Sequence, residues 1–130
     1  MSKKTIAILV YADLDQAHDY LVRVFGLRPG GVERDGHGRA VHGRVSAGDE
    51  SEIWLHPESP AHVLVSPAAN ASASNGVVVI VDDVDAQHRH AVECSAQIEY
   101  PPVDQPSGLR EYGAYDVEGG HWYFSTPTSP

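Results

Sequence analysis

Three side chains in the stretch from Ser51 to Pro57, SEIWLHP, raise the first chemical question. Glu52 and His56 are residue types that ligate metals or move protons, and Trp54 stands midway between them. In a strand the side chains alternate, so all three point to one face. At ~3.3 Å per residue, Glu52 and His56 start roughly 13 Å apart along that strand. Two ligands each about 2 Å from one zinc cannot begin so far apart. They are not a chelating pair. His88 and His90 sit two apart on an expected helix and face different ways. His37 and His42 lie in or near a turn. There is no HExxH, no GxSxG and no glycine-rich phosphate loop between a strand and a helix. Gly30-Gly31 and Gly119-Gly120 read as turn formers. Cys94 reads as a small packed or half-exposed residue on a helix, not a nucleophile.

The bulk of the chain sets the frame for these side chains. Its 130 residues suit one domain, and 42% hydrophobic with 21% charged residues is an ordinary globular composition. A net charge of -9 repels polyanions, which argues against nucleic acid and favours a neutral or cationic small molecule. One cysteine rules out an internal disulfide or a CxxC zinc site and fits a reducing cytoplasm. Lys3 and Lys4 precede the apolar run Ile6 to Ala12, but acidic Asp13 and Asp15 follow it, so a first strand is expected instead of a signal peptide. No apolar run approaches a membrane span.

An internal repeat organises the elements. VYADLDQAH at Val10 to His18 resembles IVDDVDAQH at Ile80 to His88, and one offset aligns Asp13 with Asp83, Asp15 with Asp85 and His18 with His88. Asp13 can cap a helix with Gln16 three positions on, and Leu14, Ala17, Leu21, Val24 and Phe25 form one apolar stripe that Gly26 ends. Three short strand candidates follow, the last being SEIWLHP. The second copy runs from GVVVIV through a helix capped by Asp83 to about Ala96. Its three strand candidates are IEYPPV, REYGAYDV and HWYFSTP, the first broken by Pro101 and Pro102. The expected fold is therefore α+β, two tandem βαβββ modules, module one about 1–57 and module two about 76–130. Between them lies a small-residue, low-complexity linker, about 58–75, whose Asn70-Ala71-Ser72 triplet matches a glycosylation acceptor by chance.

Paired modules of this kind resemble the vicinal-oxygen-chelate superfamily, the glyoxalase and bleomycin-resistance fold. The stretches that carry the likeness are LVYADLDQAHDYLVRVFGL, VIVDDVD and GLREYGAYDVEGGHWYFSTP, the last with a D-x-x-G turn from Asp116 to Gly119. The resemblance implies a curved mixed sheet whose concave face holds the site. Enzymes of that family chelate a divalent metal with four His, Glu or Gln side chains. The matching positions here are Ile6, Trp54, Gly76 and Tyr123. None suits a metal: Ile and Gly have no ligating side chain, indole has no basic lone pair, and phenol is an uncommon ligand. The resemblance thus implies no metal, no cofactor and no assigned catalytic residue.

Alternation from those positions gives the expected lining. Ile6, Ile8, Val10, Glu52, Trp54 and His56 come from module one; Val78, Ile80, His121, Tyr123 and Ser125 come from module two. Leu9, Val79, Trp122 and Phe124 should pack against the helices. Arg110 should pair with Glu111 or structurally with an acid across the sheet, and Asp82, Asp83 and Asp85 serve helix capping and dipole.

The function implied is a non-catalytic binding protein like those of bleomycin resistance, sequestering a planar or aromatic natural product or drug that is neutral or cationic, as resistance factor or carrier, and acting as a homodimer in the cytoplasm. The alternative is a lyase, isomerase or dioxygenase of the same fold, or a metal-free catalyst using His56, Glu52 or Tyr123. A regulatory or immunity partner whose groove binds a peptide is a third reading.

Overall fold

Two aspartates set the punctuation of the chain. Asp13 is extended (φ -126°) and its carboxylate accepts from the Gln16 N–H at 3.0 Å, stopping strand β1 (Ala7–Tyr11) and starting helix α1 (Leu14–Arg23). Asp83 repeats this at φ -138° between β5 (Gly76–Ile80) and α3 (Val84–Glu93), accepting from Ala86 N–H. The computed structural model describes residues 4–49 and 51–128; Lys3, read above as part of a basic start, lies outside them. Among the described residues no helix is long and apolar enough to cross a membrane.

The remaining elements complete two βαβββ modules. β2 (Arg28–Arg34), β3 (Ala40–Ser46) and β4 (Glu52–Pro57) follow α1, while β6 (Gln97–Asp104), β7 (Leu109–Tyr115) and β8 (His121–Pro127) follow α3. Each module makes its own four-stranded mixed sheet, ordered β1-β4-β3-β2 and β5-β8-β7-β6. Among the described residues only β1–β4 and β5–β8 pair in parallel. The register is equivalent in both: Ile8 lies beside Trp54, and Val78 beside Tyr123.

Four expectations need correction. Ile6 precedes β1 instead of opening it. β6 runs straight through Pro101 and Pro102, because it is an edge strand whose ladder shifts register between Tyr100 and Val103, so the missing N–H groups cost no pairing. α3 ends at Glu93, short of Ala96, where Ser95 turns left-handed (φ 64°) and Ala96 N–H donates back to Ala91. The expected linker is a folded strap: a 3-10 turn (Pro60–His62), a Ser59–Leu64 bridge, and a short helix α2 (Pro67–Asn70) capped by buried Ser66.

One apolar core serves both modules. Leu14, Ala17 and Leu21 are buried on α1, as the stripe requires, and Leu55, Val79, Trp122 and Phe124 are buried on the helix side of the strands. Phe25, at the end of α1, packs its ring 5.4 Å from Trp122 and 5.0 Å from Phe124, so module one plugs into module two. Helix-side polar groups join the same contact. Gln87 donates to the Phe25 carbonyl, and the Arg110 guanidinium grips Asp85 of α3 at 3.0 Å and Asp104 at 3.2 Å. Arg110 is thus structural; its partners are those two acids and not Glu111.

Candidate functional site

The turn between β7 and β8 shows why the helix-free faces stay where they are. Buried Asp116 accepts from Glu118 N–H and Gly120 N–H through Oδ1, and from the Tyr11 hydroxyl (2.6 Å) and Trp122 Nε1 (3.0 Å) through Oδ2. A Cβ on Gly120 would lie 2.4 Å from Asp116 Oδ2, so only glycine closes this turn. Glu118 then accepts from Ala12 N–H, Asp13 N–H and Ser66 Oγ, tying the strap and the start of α1 to module two.

On the face away from the helices, module one presents Ile8, which is 50% exposed, with half-buried Val10, Glu52, Trp54 and His56. Ile6, also half-buried, flanks them at the strand entrance. Trp54 is held edge-on by His42, with ring centroids 5.0 Å apart, and its Nε1 donates to Glu52 at 2.6 Å. Glu52 also meets Lys4 at 2.7 Å and Arg44 at 3.2 Å. The Lys4 hydrogen bond, then that from Trp54, holds the Glu52 carboxyl below its ordinary value, making it a weak base. His56 Nδ1 lies 2.7 Å from the Pro57 carbonyl, which only accepts, so in the neutral tautomer of the ring Nδ1 carries the proton and Nε2 the lone pair.

Module two presents Val78 and Ile80, 55% and 59% exposed, with half-buried His121 and Tyr123. Tyr123 lies flat over the sheet because Gly76 has no Cβ: one there would sit 3.0 Å from the Tyr123 ring. Tyr100 does the same over Gly113, where a Cβ would sit 2.9 Å from its ring. The Glu111 carboxylate lies between, accepting from Tyr100 (2.8 Å) and Ser125 (2.9 Å). Ser125 is fully buried, so it supports Glu111 and does not line a ligand surface, contrary to expectation. Burial and then the Glu111 hydrogen bond raise the Tyr100 phenol, while burial and then the charges of Glu99 and Glu111 raise Tyr123. Both are donors and not bases at neutral pH.

A cleft of about 280 Å³ opens between β1 and β5 beneath the strap. It brings Ile8, Val10, Gly76 and His121 together with Ser66 and Asn70 of the strap. Ile6, Glu52, Trp54, His56, Val78, Ile80 and Tyr123 lie outside this cleft. Residues that sequence reasoning did not assign to the lining, His42, Arg44, Glu99, Tyr100, Glu111 and Tyr115, belong to β3, β6 and β7, His42 lying within β3 and not in a turn. The alternation Glu111, Gly113, Tyr115 pointed to them once β7 is paired with β8, since those three lie beside Ser125, Tyr123 and His121.

The residues do not fit a chelated metal. Where the resemblance requires four ligands, Tyr123 fills the space that Gly76 vacates, and Trp54 stands beside Ile8 in the equivalent register. Among the described residues no three His, Cys, Asp or Glu side chains come together as a cage. The two helix-free faces offer aromatic rings, exposed aliphatic side chains and fixed hydrogen-bonding groups.

Comparison with protein families matches residues 5–124 to the Glyoxalase/Bleomycin resistance protein/Dioxygenase superfamily. Among solved structures, TioX from Micromonospora sp. ML1 is 30% identical, covers 97% of this chain and 99% of its own, and superposes with a TM-score of 0.76. TnmS3, an antibiotic binding protein from Streptomyces sp. CB03234, is 20% identical over 98% of each chain with a TM-score of 0.78. A glyoxalase-related enzyme from Clostridium phytofermentans is 18% identical over 98% of this chain and 96% of its own, with a TM-score of 0.73. The last two establish likeness of fold alone. Comparison with curated protein sequences gave no match.

Proposed function

We propose that this chain, which belongs to the Glyoxalase/Bleomycin resistance protein/Dioxygenase superfamily, captures a planar aromatic small molecule and does not transform it. One observation carries the reading: Trp54 and Tyr123 occupy equivalent register positions in the two sheets, each beside an exposed aliphatic residue, Ile8 and Val78. An aromatic wall at that position stacks on a flat ligand, where a pair of rings gains about 0.5–1.5 kcal/mol beyond area burial. That TnmS3, with the same fold, is an antibiotic binding protein supports a natural product or drug as the ligand class, with a resistance or carrier role. A second copy of the chain would wall in the exposed Ile8, Val78 and Ile80, giving a homodimer that light scattering can test.

The test is a fluorescence titration of the purified protein with planar aromatic natural products, alongside metal analysis. Quenching of Trp54 that saturates, and is lost in Trp54→Ala while the fold persists, supports capture. Stoichiometric zinc, iron or manganese, or turnover abolished by a chelator, overturns it. A catalytic reading has one observation in its favour, the His56 Nε2 lone pair left free by the Nδ1 contact to Pro57. It requires turnover that His56→Ala removes.

A further inference from the structure

The charge on the two helix-free faces is unequal. Glu52 of module one is neutralised by Lys4 and Arg44. On module two, Glu111 has no ion-pair partner among the described residues, and Glu99 has only His121, at 3.8 Å. Arg110, next to Glu111 in sequence, cannot help, since alternation sends it to the helix side and onto Asp85. Both Glu111 oxygens accept a hydroxyl, from Ser125 and Tyr100, which fixes the carboxylate yet leaves about two of its roughly four lone-pair sites for another donor.

Beside these carboxylates runs a row of rings. Tyr100 and Tyr123 are 6.4 Å apart and tilted by 33°, Tyr123 and His121 are 6.4 Å apart, and His121 meets Tyr115 edge-on at 4.8 Å. The two phenol rings lie low because Gly76 and Gly113 carry no Cβ. Ring faces attract an organic cation, and fixed carboxylates supply its hydrogen-bond acceptors.

We infer that this row, with Glu111 and Glu99, is the seat of a protonated alkylamine carried by the planar ligand. The inference rests on the capture reading and deepens it: module one stacks the arene, and module two selects its cation. A net charge of -9 steers such a cation toward the protein.

The probes are 1-pyrenemethylamine and 1-pyrenemethanol, the same arene with and without the charge, titrated at low and at physiological salt. The amine is expected to bind about tenfold more tightly than the alcohol, and the gap to narrow as salt rises. Glu111→Gln is expected to erase most of that preference, weakening the amine far more than the alcohol. Glu99→Gln, on the edge strand, is expected to remove a smaller part, and it decides the matter if Glu111→Gln fails to fold. Equal binding of amine and alcohol to the wild type overturns this inference but leaves capture standing, provided that Trp54→Ala abolishes both. A preference that survives in both variants overturns the role of these carboxylates. If neither probe binds, the capture reading falls and this one with it.

Discussion

The two modules share a backbone plan and differ in what they lay on it. Both cap their helix with an aspartate, both pair their first and last strands in parallel, and both place an aromatic residue beside an aliphatic one at the same register step. Module one surrounds its indole with a neutralised Glu52, Lys4 and Arg44 group. Module two surrounds its phenol with more phenols and with carboxylates that, among the described residues, meet no Lys or Arg. Register dictates where a side chain points; it leaves open what chemistry is displayed. A duplicated frame can therefore hold two unlike half-sites.

The largest expected effect breaks the structural asymmetry. Asp116→Ala strips partners from the buried Tyr11 hydroxyl and the Trp122 N–H, and should cost about 3–5 kcal/mol in urea unfolding, each orphaned donor contributing about 1–3 kcal/mol. Ser46→Ala, at the corresponding end of β3, should change stability by no more than about 0.5 kcal/mol. Equal losses would refute the claim that the module-two turn joins the halves.

Next comes the ligand face. Trp54→Ala should weaken binding of a planar arene at least about tenfold, whereas Tyr123→Phe, which keeps the ring, should weaken it less than about threefold, both read by fluorescence titration.

Titration should separate the buried phenols from Glu52 by direction. The folded-state value of Tyr11 is raised, by burial first and by Asp116 next, and Tyr100, Tyr112 and Tyr123 are raised chiefly by burial. A raised value means that their contribution is intact below the ordinary phenol value of 10.0 and is lost as pH climbs through the folded values. Melting temperature should fall in alkali above that point, and less steeply in Tyr11→Phe. Glu52 is depressed, so its contacts are intact above 4.5 and lost as pH drops through the lower folded value. Trp54 emission should report that acid change, with Glu52→Gln abolishing it.

The smallest effect concerns helix ends. Module one stops α1 with Gly26 at φ 75°, while module two stops α3 with Ser95 at φ 64°. Ser95→Gly should add about 0.5–1 kcal/mol and Gly26→Ala should cost about 1 kcal/mol, checked by thermal unfolding.

Much of the frame was legible because local rules and tertiary demands agree. Asp13 and Asp83 announce the caps, the Leu14 to Phe25 stripe announces a buried helix face, and alternation separated Trp122 and Phe124 from His121 and Tyr123 correctly. What escaped depends on partners distant in sequence. Prolines argued against β6 until its edge position was known. Ser66 looked like linker because its partner, Glu118, is remote. The Tyr100–Glu111–Ser125 group spans three strands, and only cross-strand register brings it together.

The Tyr11–Asp116 hydrogen bond spans 105 positions of the chain. During synthesis the first half emerges with a phenol and the Phe25 ring whose counterparts have yet to be made, because Asp116, Trp122 and Phe124 all belong to the second module. Each half of the doubled architecture is therefore completed by the other: the early half stays incompletely sealed until the second has been made.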